Sequence, residues 1–259
     1  MTMSDLPATD PTASSFAHPS SAPRTALVTG GSRGIGRAVC LAFGSAGWQV
    51  GVHYRERKDE AAETADTIRR GGAEAIISQA DIRHADQVKT MIDDVIARWG
   101  CLDVLICNAG IASSRLLLRL QPGEWHDVLQ TNLTGTFHCL QAAGPHMLSR
   151  GDGSVVVVSS YAAAQGRTGQ GAYAAAKAAL IGLVKSTARE WGRQNVRINA
   201  VFPGRHQTAM SVNGMSNDER GEPVLQRTPN LAAVASTIYH LALLPDVSGQ
   251  VWNLDSRII

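Results

Sequence analysis

Tyr173 and Lys177 stand four residues apart in an Ala-rich stretch, so on a helix the phenol and the ammonium share a face. A free phenol titrates near about 10. An adjacent ammonium, together with the positive ring of an oxidised nicotinamide, favours the phenolate and predicts a lowered value. Such a tyrosine can donate a proton to a carbonyl oxygen while hydride arrives at the carbon. Ser160 lies thirteen residues before Tyr173, at the end of a valine-rich run, where its hydroxyl could hold that same oxygen. Ser159 is the neighbouring candidate, and the spacing to Tyr173 favours Ser160. Asn132 falls mid-helix, where asparagine is a poor helix former. It either bonds its own helix backbone or holds a water that links Lys177 to solvent. Each of these residues also has a plainer use, as a solvated side chain or a strand-end turn residue.

A second group of residues points to a phosphate. Gly30, Ser32, Arg33, Gly34, Ile35 and Gly36 follow the apolar run Ala26, Leu27, Val28 and open a helical pattern over 35–46. Strand, glycine turn and helix is the layout of a dinucleotide pyrophosphate site. Gly30 permits a tight turn, Gly34 lets backbone approach phosphate, and Gly36 lets helix and strand pack closely. The helix N-terminus adds free N–H donors and partial positive charge.

The choice of dinucleotide is read at the end of the second strand. Binding of an unphosphorylated ribose usually places Asp or Glu there. This chain has His53, Tyr54 and Arg55, with no acid until Glu56. Arg33, Arg55 and either Arg57 or Lys58 could surround a 2′-phosphate, which suits the planar donor fork of arginine. The expected cofactor is NADP(H).

The elements that must position these groups follow from hydrophobic periodicity. Strands are expected over 49–53, 75–79, 104–107, 154–159, 196–202 and 250–254. Helices are expected over 58–70, 85–99, 171–192 and 231–244, with a long helical stretch over 122–148 kinked at Gly144 and Pro145. Regular alternation predicts an α/β fold: a single Rossmann-type, doubly wound domain with a seven-stranded parallel sheet and helices on both faces. Ligands of such sheets lie beyond the carboxyl ends of the strands. The glycine turn, His53 to Arg55, Asp81, Asn108, Ser159 with Ser160, and Pro203 with Gly204 all fall at such ends.

Bulk properties narrow the classes. A chain of 259 residues, 44% hydrophobic and 18% charged, suits one domain with a large core. A formal charge of +2 gives no reason to expect nucleic acid. No apolar run reaches the length of a membrane span, so no membrane partner is expected. Cys40, Cys101, Cys107 and Cys139 lack metal-ligand spacing, so no metal is expected. All four are expected to be buried free thiols, which fits a reducing cytoplasm. Residues 1–23 are rich in Ser, Ala, Thr and Pro and are expected to form a disordered tail ahead of a domain over 24–259.

Taken together, these motifs closely resemble the short-chain dehydrogenase/reductase family, over roughly residues 24–255. Asn132, Ser160, Tyr173 and Lys177 match its catalytic tetrad in order and spacing. Asn108, Ala109 and Gly110 look like its adenine-side motif, with Cys107 where another Asn is usual. Pro203 and Gly204, with Thr208, resemble the loop that touches the nicotinamide amide. Ile111 and Val201 fall where apolar residues flank the cofactor. The resemblance brings Tyr54, Asp81 and Ile82 into the expected cofactor set, beside the glycine turn, Tyr173 and Lys177. Within the family the chain is most similar to 3-oxoacyl-[acyl-carrier-protein] reductases. That implies a carrier-bound or small-molecule acyl substrate and a homotetramer.

Asp255, Ser256 and Arg257 depart from the usual Asp-Gly-Gly ending, and this leaves the exact substrate open. Reduction of another ketone, such as a secondary metabolite, steroid or polyol, is the alternative. A non-catalytic NADP sensor is a third. The substrate pocket is expected to be closed by 113–118, 162–170 and a loop over 205–228. Arg150, Arg189 and Arg193 are the arginines that could meet an acidic carrier.

Overall fold

The protein was analysed as a computed structural model, which describes residues 23–204, 206 and 223–259. The expected tail over 1–23, apart from Pro23, lies outside the described residues, as do Thr208 and most of the 205–228 loop.

Seven strands form the sheet: β1 (Thr25–Val28), β2 (Gln49–Tyr54), β3 (Ala75–Gln79), β4 (Val104–Cys107), β5 (Gly153–Val158), β6 (Val196–Phe202) and β7 (Val251–Asn253). Their order is β3-β2-β1-β4-β5-β6-β7 and every neighbouring pair is parallel. The order reverses between β1 and β4, which opens a crevice beyond their carboxyl ends. Every residue of β1, β4 and β5 is buried. That is the outcome expected of runs such as Val155 to Val158, which have no polar face to offer water.

Alternating side chains feed two cores. Val28, Ile106 and Val156 pack with Phe43, Ile68 and Ile238 beneath α1 (Gly34–Ser45), α2 (Lys58–Arg70) and α8 (Leu231–Leu243). Leu27, Leu105 and Val157 pack on the other face with Ile92, Met147 and Leu180. Those three come from α3 (Ala85–Trp99), α5 (Gly135–Arg150) and α7 (Gly171–Trp191).

The long helical stretch differs from its expected form. α4 (Pro122–Leu129) runs into a five-residue π-helical turn, Gln130–Thr134, before α5 begins. α5 then passes unbroken through Gly144 and Pro145. The irregularity therefore sits at Asn132 and not at the proline. A short helix, α6 (Ala162–Gln165), and a 3₁₀ turn at Leu117–Arg119 carry no periodic signal and are absent from the sequence reading.

The thiols also differ in one respect. Cys40, Cys107 and Cys139 are buried, but Cys101 is only half-buried, against the Thr25 hydroxyl and the Asp103 carboxylate at the amino end of the sheet. Arg150 donates to that same Asp103 at 2.7 Å, so it is tied into the fold and is not the free surface arginine expected.

Buried Asn199 in β6 fixes the last strand. Its amide donates to the Val247 carbonyl at 2.8 Å and its oxygen accepts from Gln250 N–H at 3.0 Å. Asn199→Ala leaves both groups without that partner and is expected to cost about 1–3 kcal/mol. A lower urea midpoint at unchanged m-value is the measurement that checks it.

Candidate active site

One long cleft of about 2140 Å³ runs along the carboxyl edge of the sheet, lined at one end by Gly30, Arg33 and Arg55 and at the other by Ser160, Tyr173 and Arg257. Its floor at the first end is the glycine turn. Gly30 and Gly34 adopt φ of +67° and +56°, values that penalise side chains with a Cβ. A Cβ on Gly36 would lie 2.1 Å from the Gly30 carbonyl oxygen and 2.5 Å from Asn108 Nδ2. The first turn of α1 therefore sits directly against the end of β1. That helix carries no acidic residue in its first turn and no side-chain cap, so its N–H groups and partial positive charge face the cleft. α8, by contrast, is capped by Asn230. An open, uncapped N-terminus beside a Cβ-free cradle fits a pyrophosphate.

The turn is held from two sides. From β4, Asn108 Nδ2 donates to the carbonyls of Thr29 (2.9 Å) and Gly30 (3.2 Å), while Thr29 Oγ1 accepts from the N–H of Asn108 and Ala109. From β2, buried His53 accepts the Gly30 N–H on Nδ1 (2.9 Å) and meets the Ala80 carbonyl through Nε2 (2.9 Å). Those partners require a neutral ring protonated on Nε2. Burial lowers the His53 pKa and so favours that neutral form.

The expected basic cluster is in part here. Arg33 lines the cleft with no ion pair among the described residues. Arg55 also lines it but meets Glu56 at 2.6 Å, and Arg57 meets Glu60 at 2.6 Å. Ser32, Ile35, Ala109 and Gly110 line the cleft as expected. Tyr54 reaches its wall but is 5% exposed and belongs to the core. Asp81 and Ile82 lie at the end of β3. Hydrogen bonds from the Arg83 guanidinium hold the Asp81 carboxyl at about 2. Val201, expected beside a cofactor, is instead wholly inside the sheet, whereas Ile111 does line the cleft.

At the other end Ser160, Tyr173 and Lys177 converge. Tyr173 is in the first turn of α7 and Lys177 one turn on, with Nζ 5.8 Å from the phenol ring centroid. Ser160 and Tyr173 line the same end of the cleft, and the Ser160 hydroxyl favours the ionised phenol. Ser159 is turned away and donates to the Lys177 carbonyl at 2.8 Å. Lys177 is buried and donates to the Val158 carbonyl at 2.7 Å. Burial lowers its ammonium to about 8.

The expected depression of the Tyr173 phenol is reversed in this environment. Burial pushes the phenol up, and only the Ser160 hydrogen bond works the other way.

The Asn132 side chain does not bond its own helix backbone. Its amide pairs with the backbone of Ile111, accepting from N–H and donating to C=O, both at 2.8 Å. This anchors the segment after β4 beside Lys177. A Cβ on Gly110 would lie 2.8 Å from Asn132 Oδ1 and 3.6 Å from Lys177 Nζ, so only glycine passes between them.

Pro203, Gly204, His206 and residues 226–229 close the far side. Ala162 and Gln165 to Thr168 line it as expected, but none of 113–118 does. Leu116, Leu117 and Leu118 stand exposed outside the cleft.

A family model described as short chain dehydrogenase matches residues 24–219. The chain belongs to the short-chain dehydrogenase family. It is 42% identical over 206 residues to a 3-oxoacyl-[acyl-carrier-protein] reductase of Staphylococcus aureus, covering 80% of this chain and 83% of the relative. A protein of the same name from Synechocystis is 38% identical over 244 residues, covering 91% and 97%. A dehydrogenase/reductase crystal structure from Sinorhizobium meliloti superposes with a TM-score of 0.83 at 28% identity, covering 91% and 94%. As a short-chain dehydrogenase the chain is an oxidoreductase acting on an alcohol or ketone group.

Thr29 and Tyr161 are residues of this short-chain dehydrogenase's cleft region that sequence reasoning did not single out. His53 and Arg257 were noted, the first as a strand-end residue and the second as a departure from the family's ending, but not for the contacts they make. His53→Leu removes the acceptor of the Gly30 N–H and is expected to weaken dinucleotide binding about tenfold, the worth of one hydrogen bond. Titration of nucleotide fluorescence checks it.

Proposed function

We propose that the chain reduces a 3-oxoacyl thioester to the 3-hydroxyacyl product, with NADP(H) as its cofactor. The observation that carries this reading is the meeting of Ser160, Tyr173 and Lys177 at one end of a cleft whose other end is an uncapped glycine turn. The name borne by the relatives supplies the substrate class. Bound with its pyrophosphate at the glycine turn, NADPH supplies the hydride. Arg33, free of an acidic partner among the described residues, and exposed Arg55 receive the 2′-phosphate.

Ser160 donates to the substrate carbonyl oxygen and aligns it with Tyr173. Tyr173, kept protonated by its burial, transfers the phenolic proton to that oxygen. The Lys177 ammonium stabilises the phenolate left behind. Asn132 holds the Ile111 segment and its own π-helical backbone in place beside Lys177. Gly204, which lines the cleft, and Thr208 are the residues this reading assigns to the nicotinamide amide. The segment over 24–259 works as one domain, in a cytoplasmic homotetramer that pairs α4, α5 and α7 faces such as that of half-exposed Phe137.

A second reading, reduction of a different ketone, is favoured by one observation. Arg257 lines the substrate end of the cleft beside Asp255, at the place where the sequence departs from the Asp-Gly-Gly ending that the family resemblance implies. Turnover of acetoacetyl thioesters against simple ketones separates the two.

Wild-type protein is expected to oxidise NADPH with acetoacetyl-CoA at a kcat/KM well above that with NADH. Tyr173→Phe is expected to lose turnover by at least about a hundredfold, the share of a general acid, with NADPH binding retained. Turnover in the Phe variant would remove Tyr173 from its role.

The pH profile has a defined sign. The kcat/KM for NADPH reports groups of the unliganded protein. It is expected to stay level through neutral pH and to fall as the pH rises through about 8, where Lys177 loses its proton. A profile level to pH 10 counts against that assignment.

A further inference from the structure

Beyond β7 the chain folds into a hook at the substrate end of the cleft. The Asp255 carboxylate, wholly buried, accepts from the Arg257 backbone N–H at 3.2 Å and from its Nε at 2.6 Å, and also pairs with Nη2. Asn253 closes the loop. Its Nδ2 donates to the Arg257 carbonyl at 2.7 Å and its Oδ1 accepts from Asp255 N–H at 3.2 Å. Fixed in this way, the guanidinium lies 4.2 Å from the centroid of the Tyr161 ring. The Tyr161 hydroxyl donates to the Ile258 carbonyl at 3.0 Å. Face and tip of one ring are thus both held by the C-terminal hook.

Tyr161 directly follows Ser160. The Ser160 hydroxyl oxygen accepts from Ala162 N–H at 3.2 Å, so Ser160, Tyr161 and the start of α6 form one small unit. The hook touches the other walls too. Asp255 Oδ2 lies 3.1 Å from where a Cβ on Gly204 would be. Ser256 accepts the N–H of Val224 on its carbonyl and that of Leu225 on its hydroxyl, both at 3.3 Å.

A buried ion pair adds little net stability, because desolvation offsets the attraction. Stability alone is therefore a weak reason to place an arginine here. A flat cation that stacks on a ring while bonded along its edge does something that neither glycine nor lysine can do.

We propose that Arg257 is a positioning residue for carbonyl reduction: it clamps Tyr161 and thereby holds Ser160 against Tyr173. This rests on the reading in which Ser160 aligns the substrate carbonyl. Arg257 does not itself transfer a proton, and it lines the end of the cleft opposite the glycine turn, where the cofactor's pyrophosphate is proposed to bind.

The test compares Arg257→Ala, Arg257→Lys and Tyr161→Phe with Ser160→Ala as reference. The readouts are NADPH binding, kcat and KM for acetoacetyl-CoA, and the pH profile of alcohol oxidation with NADP⁺. Arg257→Ala is expected to lower kcat/KM on the order of ten- to a hundredfold, the cost of a misplaced reacting group, with NADPH affinity intact. The Ser160 hydrogen bond favours the ionised phenol, so loosening it moves the Tyr173 limb of the oxidation profile to higher pH. A merely structural role moves the melting temperature and leaves that limb in place.

Arg257→Lys is expected to recover only a minor part, since it keeps the charge and loses the flat stack. Adding Arg257→Ala to Ser160→Ala costs little more than Ser160→Ala alone. Wild-type kinetics and an unmoved limb in Arg257→Ala, beside an impaired Ser160→Ala, overturn the clamp and leave the reductase reading intact. Wild-type turnover in Ser160→Ala overturns that reading and the clamp with it. If Arg257→Ala does not fold, Arg257→Lys decides: it keeps the charge and loses the flat stack, so wild-type kinetics and an unmoved limb there also overturn the clamp, whereas Tyr161→Phe keeps the stack and is expected to move the limb less.

Discussion

The bonding across the gap between β1 and β4 is the constraint on which the cleft depends. The sheet reverses direction of growth there, and the cleft opens at the carboxyl end of that gap. Thr29 on one side and Asn108 on the other exchange side-chain to backbone hydrogen bonds, so the two strand ends cannot splay. Asn108 also reaches the Gly30 carbonyl, the atom against which Gly36 packs. The position of α1, and with it the aim of its free N–H groups, therefore follows from two small polar side chains. His53 completes the support from β2, and its neutral state is maintained by the burial that makes it useful.

The substrate end solves a different problem, that of keeping a cation in a place where water does not reach. Burying an ammonium is costly unless its protons are bonded. Lys177 finds the Val158 carbonyl at the end of the wholly buried strand β5, and its own carbonyl is bonded by Ser159. The resulting lowered pKa of the lysine and raised pKa of the tyrosine share one cause, which is desolvation. The pair is thereby set for opposite duties. In the proposed reaction the phenol keeps its proton until a carbonyl oxygen takes it, and the ammonium gains most when a negative charge forms beside it.

Much of this was legible from residue spacing. Tyr173 and Lys177 share a helix face because four residues close one turn, and the glycines announce close approach because no other residue permits it. The valine run from Val155 announced a strand covered on both faces. What escaped is long-range. Nothing in the residues around Asn132 indicates that its side chain will reach across to Ile111, and so nothing placed the helix irregularity there. The rule that proline breaks helices pointed to Pro145, where tertiary packing overrides it. Tyr161 and Ile258 are ninety-seven residues apart, and the stack of Arg257 on Tyr161 exists only once β7 has joined β6. Val201 lies inside the sheet for a related reason. A strand-end position does not say whether a side chain faces the crevice or the sheet interior.

The wide turn at Gln130–Thr134 has one more implication, which concerns descent. An α-helix advances about 100° per residue. Trimming a residue from 130–134 would thus rotate one flanking helix by that angle relative to the other. Either Val128 would leave its contacts with Ala172 and Ala176, or the Cys139, Ala143 and Met147 face would swing off the sheet. No single deletion leaves both intact. The turn is held by the two cores on either side of it as firmly as by the asparagine at its centre, so a lineage that acquired it cannot easily discard it.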